Sequence, residues 1–268
     1  VTTFNRRRFL QTVALAIAGA TLGSTAQARA QGRVLGTVID YAGGVPSGRA
    51  VKAAGHLGAV RYVSERRPGA NWMLGKPVTL GETQDFAAND LATASVYQFG
   101  RAETADWLGG AAAAARHAPE AMRLHASAGG PTGRPIYIAI DDNPSRSQYL
   151  NQIRPYLRAF SAALTLGGYQ TGVYGNINVI QWCIEDGIGT FFWQHDWGSG
   201  GKLHPRANIH QKAKWTGVID GVTVDINNVY SADWGQWTPG RRGPGFNLGD
   251  LGSSQLSSSF DWRALLPK

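Results

Sequence analysis

A chain of 268 residues that is 43% hydrophobic and 16% charged is long enough and apolar enough to build a core of its own. It has to, because Cys183 is its one cysteine and an internal disulfide is therefore excluded. The formal charge of +8 is held in part by Arg6, Arg7, Arg8 and Arg29, and the rest of the chain has no Lys/Arg run and no nucleic-acid motif, so no nucleic-acid partner is expected.

The first thirty residues hold four arginines (Arg6, Arg7, Arg8 and Arg29) and no acid, with an apolar stretch from Leu10 to Leu22. That is the charge plan of an export signal. Asn5-Arg6-Arg7-Arg8-Phe9-Leu10-Gln11 resembles the twin-arginine consensus. Ala26-Gln27-Ala28 or Ala28-Arg29-Ala30 offers the small-x-small site that a signal peptidase reads. The apolar stretch is too short, and too rich in Ala, Gly and Thr, to cross about 30 Å of hydrocarbon, which takes roughly 20 apolar residues. Residues 1–30 are thus expected to be a cleaved signal, with the twin-arginine export machinery and a signal peptidase as partners and no membrane span left afterwards. Without the signal's four arginines the chain keeps 22 Lys and Arg against 18 acids, an excess of only +4.

From residue 31 to 237, short β-rich runs alternate with helix-like segments. Strands are predicted near Val34 to Asp40, Ala59 to Ser64, Ala94 to Phe99, Ile136 to Asp141, Thr171 to Tyr174, Thr190 to Gln194, Asn208 to Gln211 and Val222 to Ile226. Helices are predicted at Ser47 to Ala54, Leu80 to Ala88, Thr104 to Ala126, Gln148 to Thr165 and Ile177 to Glu185. The connections after the sixth and seventh strands are too short or too Gly-rich for helices. Eight parallel units of this kind point to an α/β fold, a single-domain (β/α)8 TIM-type barrel. The doubly wound alternative lacks a G-x-G-x-x-G after its first strand. Residues 238–268, rich in Gly, Ser, Arg and Pro, read as a flexible tail. Cys183, between Trp182 and Ile184 in a predicted helix, reads as a packed apolar residue.

Strand periodicity then selects the side chains that enter a barrel. In the fourth strand Ile136, Ile138 and Ile140 share one face, which sends Tyr137, Ala139 and Asp141 inward. In the last, Val222, Val224 and Ile226 face out and Thr223, Asp225 and Asn227 face in. The first strand is ambiguous, but Asp40 stands at its C-terminal end. Asp40, Asp141 and Asp225 are therefore the candidate catalytic carboxylates at a barrel mouth, where two acids with different environments can divide acid and base roles. Tyr41, Tyr62, Trp72, Tyr97, Tyr174, Trp193 and Trp197 are candidate stacking surfaces for the apolar faces of sugar rings. Asp142, ahead of Asn143-Pro144-Ser145, reads first as an organiser of the next helix. His195, His204 and His210 match no helical ligand spacing, and no metal or other cofactor is expected.

Gly36-Thr37-Val38-Ile39-Asp40-Tyr41-Ala42, Arg61-Tyr62-Val63-Ser64, Trp72-Met73-Leu74-Gly75-Lys76-Pro77, Ser95-Val96-Tyr97-Gln98-Phe99-Gly100, Ile140-Asp141-Asp142-Asn143-Pro144-Ser145, Phe192-Trp193-Gln194-His195 and Val224-Asp225-Ile226-Asn227 resemble the glycoside-hydrolase-like barrel family of twin-arginine-exported, mycobacterial-type envelope proteins. That family is similar to lysozyme-like muramidases. The resemblance implies a (β/α)8-type fold, a cell-wall polysaccharide as partner, and a pocket lined by Asp40, Asp141, Gln194, Asp225 and Asn227, with Asp142, Tyr62, Tyr97, Tyr174 and Trp193 as further substrate-binding candidates. One departure stands out: the muramidases carry Asp-x-Glu on strand four, their general acid being the Glu, and here the corresponding residue is the amide Asn143. An amide cannot donate a proton as a carboxylic acid does. Either Asp141 or Asp142 takes over, or the barrel binds glycan without cutting it.

Overall fold

The computed structural model describes residues 32–240. The predicted signal at 1–30, and all of the predicted tail after residue 240, lie outside the described residues. Eight strands close into one barrel in chain order: β1 (Gly36–Asp40), β2 (Gly58–Tyr62), β3 (Ala92–Tyr97), β4 (Pro135–Ala139), β5 (Gln170–Gly175), β6 (Phe191–His195), β7 (Ile209–Ile219) and β8 (Val222–Val229). The helical layer is α1 (Gly48–Ala53), α2 (Leu80–Ala88), α3 (Gly110–Ser127), α4 (Arg154–Leu166) and α5 (Ile177–Glu185). Side-chain oxygens of Ser47, Thr79 and Asn176 start α1, α2 and α5 by accepting backbone N–H groups of the first turn.

Eight strands are present, but the all-parallel expectation is corrected at the closure. β1 to β7 run parallel, while β8 is antiparallel to both β7 and β1. The cause is local: only Asp220 and Gly221 join β7 to β8, both at positive φ (50° and 75°), and so tight a link can only reverse the chain. Asp225 therefore lies in the first half of its strand, paired in register with Asp40 at the end of β1. The predicted third helix is broken into two 3₁₀ turns, Ala102–Thr104 and Asp106–Gly109, ahead of α3. Asp106 holds them by accepting from the backbone N–H groups of Phe99 and Gly100, each at 2.8 Å. The predicted fourth helix opens with a π turn, Tyr149–Ile153, just before Pro155, which has no N–H to donate into the previous turn.

The strand alternation sorts two cores. Ile136, Ile138 and Ile140 pack outward against Ala114, Leu157 and Phe160 of the helices, while Tyr137 and Ala139 fill the barrel with Val38, Val60 and Trp193. Val38 inside and Ile39 outside settle the ambiguous first strand, so Asp40 points in. Trp234 closes the barrel beneath, with its carbonyl accepting from Tyr137 Oη at 2.7 Å. Trp237 and Thr93 exchange backbone hydrogen bonds of 2.7 and 3.0 Å. Cys183 is buried in the outer layer, where desolvation pushes its thiol up to about 12.

Arg61 ties the barrel to its loops. It faces outward from β2, is wholly buried, and donates to the Glu82 carboxylate on α2, to the Tyr41 carbonyl and to the Gly75 carbonyl. Tyr41 Oη donates to the same carboxylate at 2.7 Å. Arg61→Met strands the Glu82 charge in the interior and is expected to cost about 3–5 kcal/mol, whereas the double variant R61M/E82L, which removes both charges, recovers most of the loss. Urea denaturation of the three proteins checks this. A single variant as stable as the wild type would show that the pair holds nothing together.

A carboxylate-lined cleft at the barrel mouth

The alternating faces of β1, β4 and β8 deliver Asp40, Asp141 and Asp225 into one cleft of about 950 Å³. Asp40 is at the end of β1, Asp141 just beyond β4, and Asp225 opposite Asp40 on β8. Aromatic walls come from Tyr41, Tyr62, Trp72, Tyr174, Trp193 and Trp197. Trp72 is 57% exposed and stands free at the rim.

Gln211 bridges Asp40 and Asp225, and Tyr174 stands between Gln211 and Asp141. Gln211 Nε2 donates to Asp40 Oδ2 at 3.3 Å and to Asp225 Oδ2 at 3.1 Å. Its Oε1 accepts from Tyr174 Oη at 2.6 Å, and that hydroxyl lies 3.5 Å from Asp141 Oδ1. The other oxygen of Asp141 accepts from Gln98 Nε2 at 3.0 Å. Below Asp40, Asn227 Nδ2 donates to Oδ2 at 2.8 Å, and Trp193 Nε1 fixes that amide by donating to its Oδ1 at 2.9 Å.

Burial decides the electrostatics. Asp40 is only 3% exposed, and desolvation, reinforced by the neighbouring Asp225 charge, lifts its carboxyl well above the usual carboxylate range against the hydrogen bond from Asn227. Asp141 is raised chiefly by burial, against the hydrogen bonds from Gln98 and Trp197 and the attraction of Arg101. Asp225 is also raised by burial, opposed by its bond from Gln211. Asp142, at the cleft edge, accepts from Trp107 Nε1 at 2.8 Å and is raised by partial burial. Two close carboxyls of which one is driven neutral form the arrangement that separates a proton-holding group from a charged one.

The structure brings together Asp40, Asp141, Asp142, Asp225, Tyr62, Tyr174 and Trp193, and sets three expected site residues apart. Tyr97 faces the helical layer, 5.2 Å from the His117 ring and 5.5 Å from the Phe160 ring, because Val96 takes the inward position on β3. Gln194 faces outward as well: its amide donates to Lys202 O at 2.7 Å and accepts from His204 N at 2.8 Å, pinning the loop between β6 and β7. Asn227 is wholly buried and acts on the cleft through Asp40. Two residues that sequence reasoning missed are central, Gln211 and Gln98. The signal for Gln211 was present, since Ile209 is a natural interior residue and the residue two further along shares its face.

Asn143, at the departure from the muramidase pattern, lies on the rim and accepts from Asn176 Nδ2 at 3.1 Å. Gly198 makes room for it: a Cβ there would meet Asn143 Oδ1 at 1.8 Å, and its φ of +80° disfavours side chains in any case. Among the described residues, no group of three or more His, Cys, Asp and Glu is placed to hold a metal ion. His210 pairs with Asp196 at 2.6 Å, His204 with Gln181 at 3.1 Å, and His195 stacks on Trp197.

Comparison with known proteins agrees with this architecture. Residues 49–229 match the family described as Rv2525c-like, glycoside hydrolase-like domain. Rv2525c of Mycobacterium tuberculosis (strain ATCC 25618 / H37Rv), whose name provisionally makes it a peptidoglycan hydrolase, is 51% identical over 202 residues, 75% of this chain and 83% of the relative. The crystal structure of that Tat-secreted protein in complex with L-tartrate covers 76% of this chain and 100% of its own, with a TM-score of 0.73. An uncharacterized B. stearothermophilus protein shares the fold at 16% identity and a TM-score of 0.52, over 72% of this chain and 95% of its own. The chain belongs to the Rv2525c-like, glycoside hydrolase-like domain family.

Proposed function

We propose that this protein is exported and acts on a cell-wall polysaccharide of the peptidoglycan kind, with Asp141 as general acid. The observation that supports the reading is the convergence of three acids on one aromatic-walled cleft, with Gln211 donating to both Asp40 and Asp225 and accepting from Tyr174, whose hydroxyl is 3.5 Å from Asp141. Burial keeps Asp141 protonated to a higher pH than a free carboxyl, as a group that must give a proton to a leaving oxygen requires. Of the facing pair, the buried Asp40 retains the proton and the more open Asp225 carries the charge, ready to orient water or to stabilise positive charge at the anomeric carbon. The name of the 51% identical relative and its description as Tat-secreted support both the wall substrate and the export. No helix among the described residues is long and apolar enough to cross a membrane.

The test is release of reducing ends from purified wall glycan by the full chain. Release is expected, and its absence at every pH would end the hydrolytic reading. A second reading, a glycan-binding barrel that does not cut, is favoured by one observation: the rim position next to the acids is the amide Asn143, held by Asn176. Saturable binding to insoluble wall material without turnover would select it. In either case Trp72→Ala should weaken binding several-fold, about 0.5–1.5 kcal/mol, because it removes an exposed stacking surface and little else. Unchanged retention on wall material would take Trp72 out of the site.

A further inference from the structure

The cleft has two electrical sides. Its floor is the three carboxylates, while Arg67 and Lys76 from the loop after β2 and Arg101 from the segment after β3 line its wall. Among the described residues none of these three cations has an acid within ion-pair distance. Lys76 is 3% exposed, yet its ammonium donates only to the Gln98 carbonyl, at 2.6 Å, and rests 4.3 Å above the Tyr62 ring. A buried ammonium with one neutral acceptor is costly unless a counter-charge arrives. Burial lowers the Lys76 pKa to about 7; Asp106, beyond ion-pair distance, opposes the shift only in part, and Arg67 and Arg61 add to it by repulsion.

The wall does not merely neutralise the floor, because Gln98 stands between them. Its side-chain amide donates to Asp141 while its carbonyl accepts from Lys76 and from Ser64 Oγ at 2.7 Å. A neutral residue thus keeps the ammonium off the acid. We propose that Arg67, Lys76 and Arg101 form an anion subsite beside the carboxylate floor, and that it takes a carboxylate substituent carried by the sugar ring bound there. The inference rests on the glycan reading above and narrows it: a neutral polysaccharide leaves the wall unmatched, while a carboxylated one supplies the charge that the buried lysine lacks. Guanidinium groups suit this role, since they grip planar oxyanions through two parallel N–H groups.

The test uses cleft tryptophan fluorescence of the full chain, titrated with a disaccharide of N-acetylmuramic acid and N-acetylglucosamine and with the same sugar after reduction of its carboxyl to an alcohol. The acid form is expected to bind at least about tenfold more tightly at low salt, with the preference shrinking as salt is added. Because Lys76 is buried and its replacement could unfold the chain, the discriminating variant is R67Q/R101Q, in which the replaced Arg67 is half-buried and Arg101 exposed, and which should bind the two sugars alike. Equal affinities in the wild type, or a preference that survives in R67Q/R101Q, would overturn the subsite while leaving glycan binding intact. Binding of neither sugar would overturn the glycan reading and the subsite with it. If the alcohol form carrying a phosphate instead binds more tightly than the carboxylate, the carboxylate assignment is overturned.

Discussion

Asp141→Asn is expected to lower the release of reducing ends from wall glycan by about 10²–10⁴-fold, the usual contribution of a positioned proton donor, while leaving glycan binding in place. The exchange preserves size, and an amide oxygen can still accept from Gln98 Nε2. What it removes is the acidic proton. Asp142 is the internal control: with its carboxylate committed to Trp107 Nε1 at 2.8 Å, Asp142→Asn should change turnover less than tenfold. The pH profile gives an independent reading. A general acid works only while protonated, so the rate should fall as pH rises through the raised value of Asp141, and that limb should be missing from the residual activity of D141N. Equal losses in D141N and D142N, or full activity in D141N, would remove Asp141 from the role assigned to it.

The second large effect is on stability. Asp40 has a folded-state pKa above its unfolded value, so between the two values the folded protein binds more protons than the unfolded one. Stability is therefore fullest below the unfolded value, near 4, and declines as pH rises toward the folded one. Asp40→Asn removes the titration and with it the penalty. Its amide oxygen can still accept from Asn227 and Gln211, and its NH₂ faces Asp225, whose charge it no longer opposes. D40N is expected to be more stable than the wild type by about 0.5–2 kcal/mol at pH 8, with the gap closing at pH 4, and to lose activity: a stability–activity trade at a functional site. Urea unfolding at both pH values measures it. A D40N protein less stable than the wild type at pH 8 would mean that Asp40 is held as a satisfied, charged structural group.

Much of the barrel is legible in the sequence because strand periodicity is dictated by two different apolar environments. Ile136, Ile138 and Ile140 against Tyr137, Ala139 and Asp141 separate cleanly, and the five helices follow from their apolar runs and caps. The direction of β8 was also encoded, in Asp220-Gly221, a turn dipeptide for a two-residue hairpin. It is masked because β7 continues beyond Gln211 through an irregular register into an exposed ribbon with no periodic apolar face. Tyr97 and Gln194 illustrate a different limit. Both lie in segments that resemble known pocket motifs, yet each falls on the outward face of its strand, where a short motif does not specify which way a single side chain turns. Gln211 and Gln98 escape attention for a chemical reason: a neutral amide has no titration signature, and strand periodicity, which turns Gln211 inward, does not say that it bridges Asp40 and Asp225 or that Gln98 holds Asp141.

The most direct measurement is the structure of this protein with a wall oligosaccharide bound. The account predicts a glycosidic oxygen within hydrogen-bond reach of Asp141, roughly 2.6–3.2 Å, with the anomeric carbon facing Asp40 and Asp225 and a sugar face against the cleft tryptophans. A sugar seated elsewhere on the barrel, with none of the three carboxylates touching it, would contradict it.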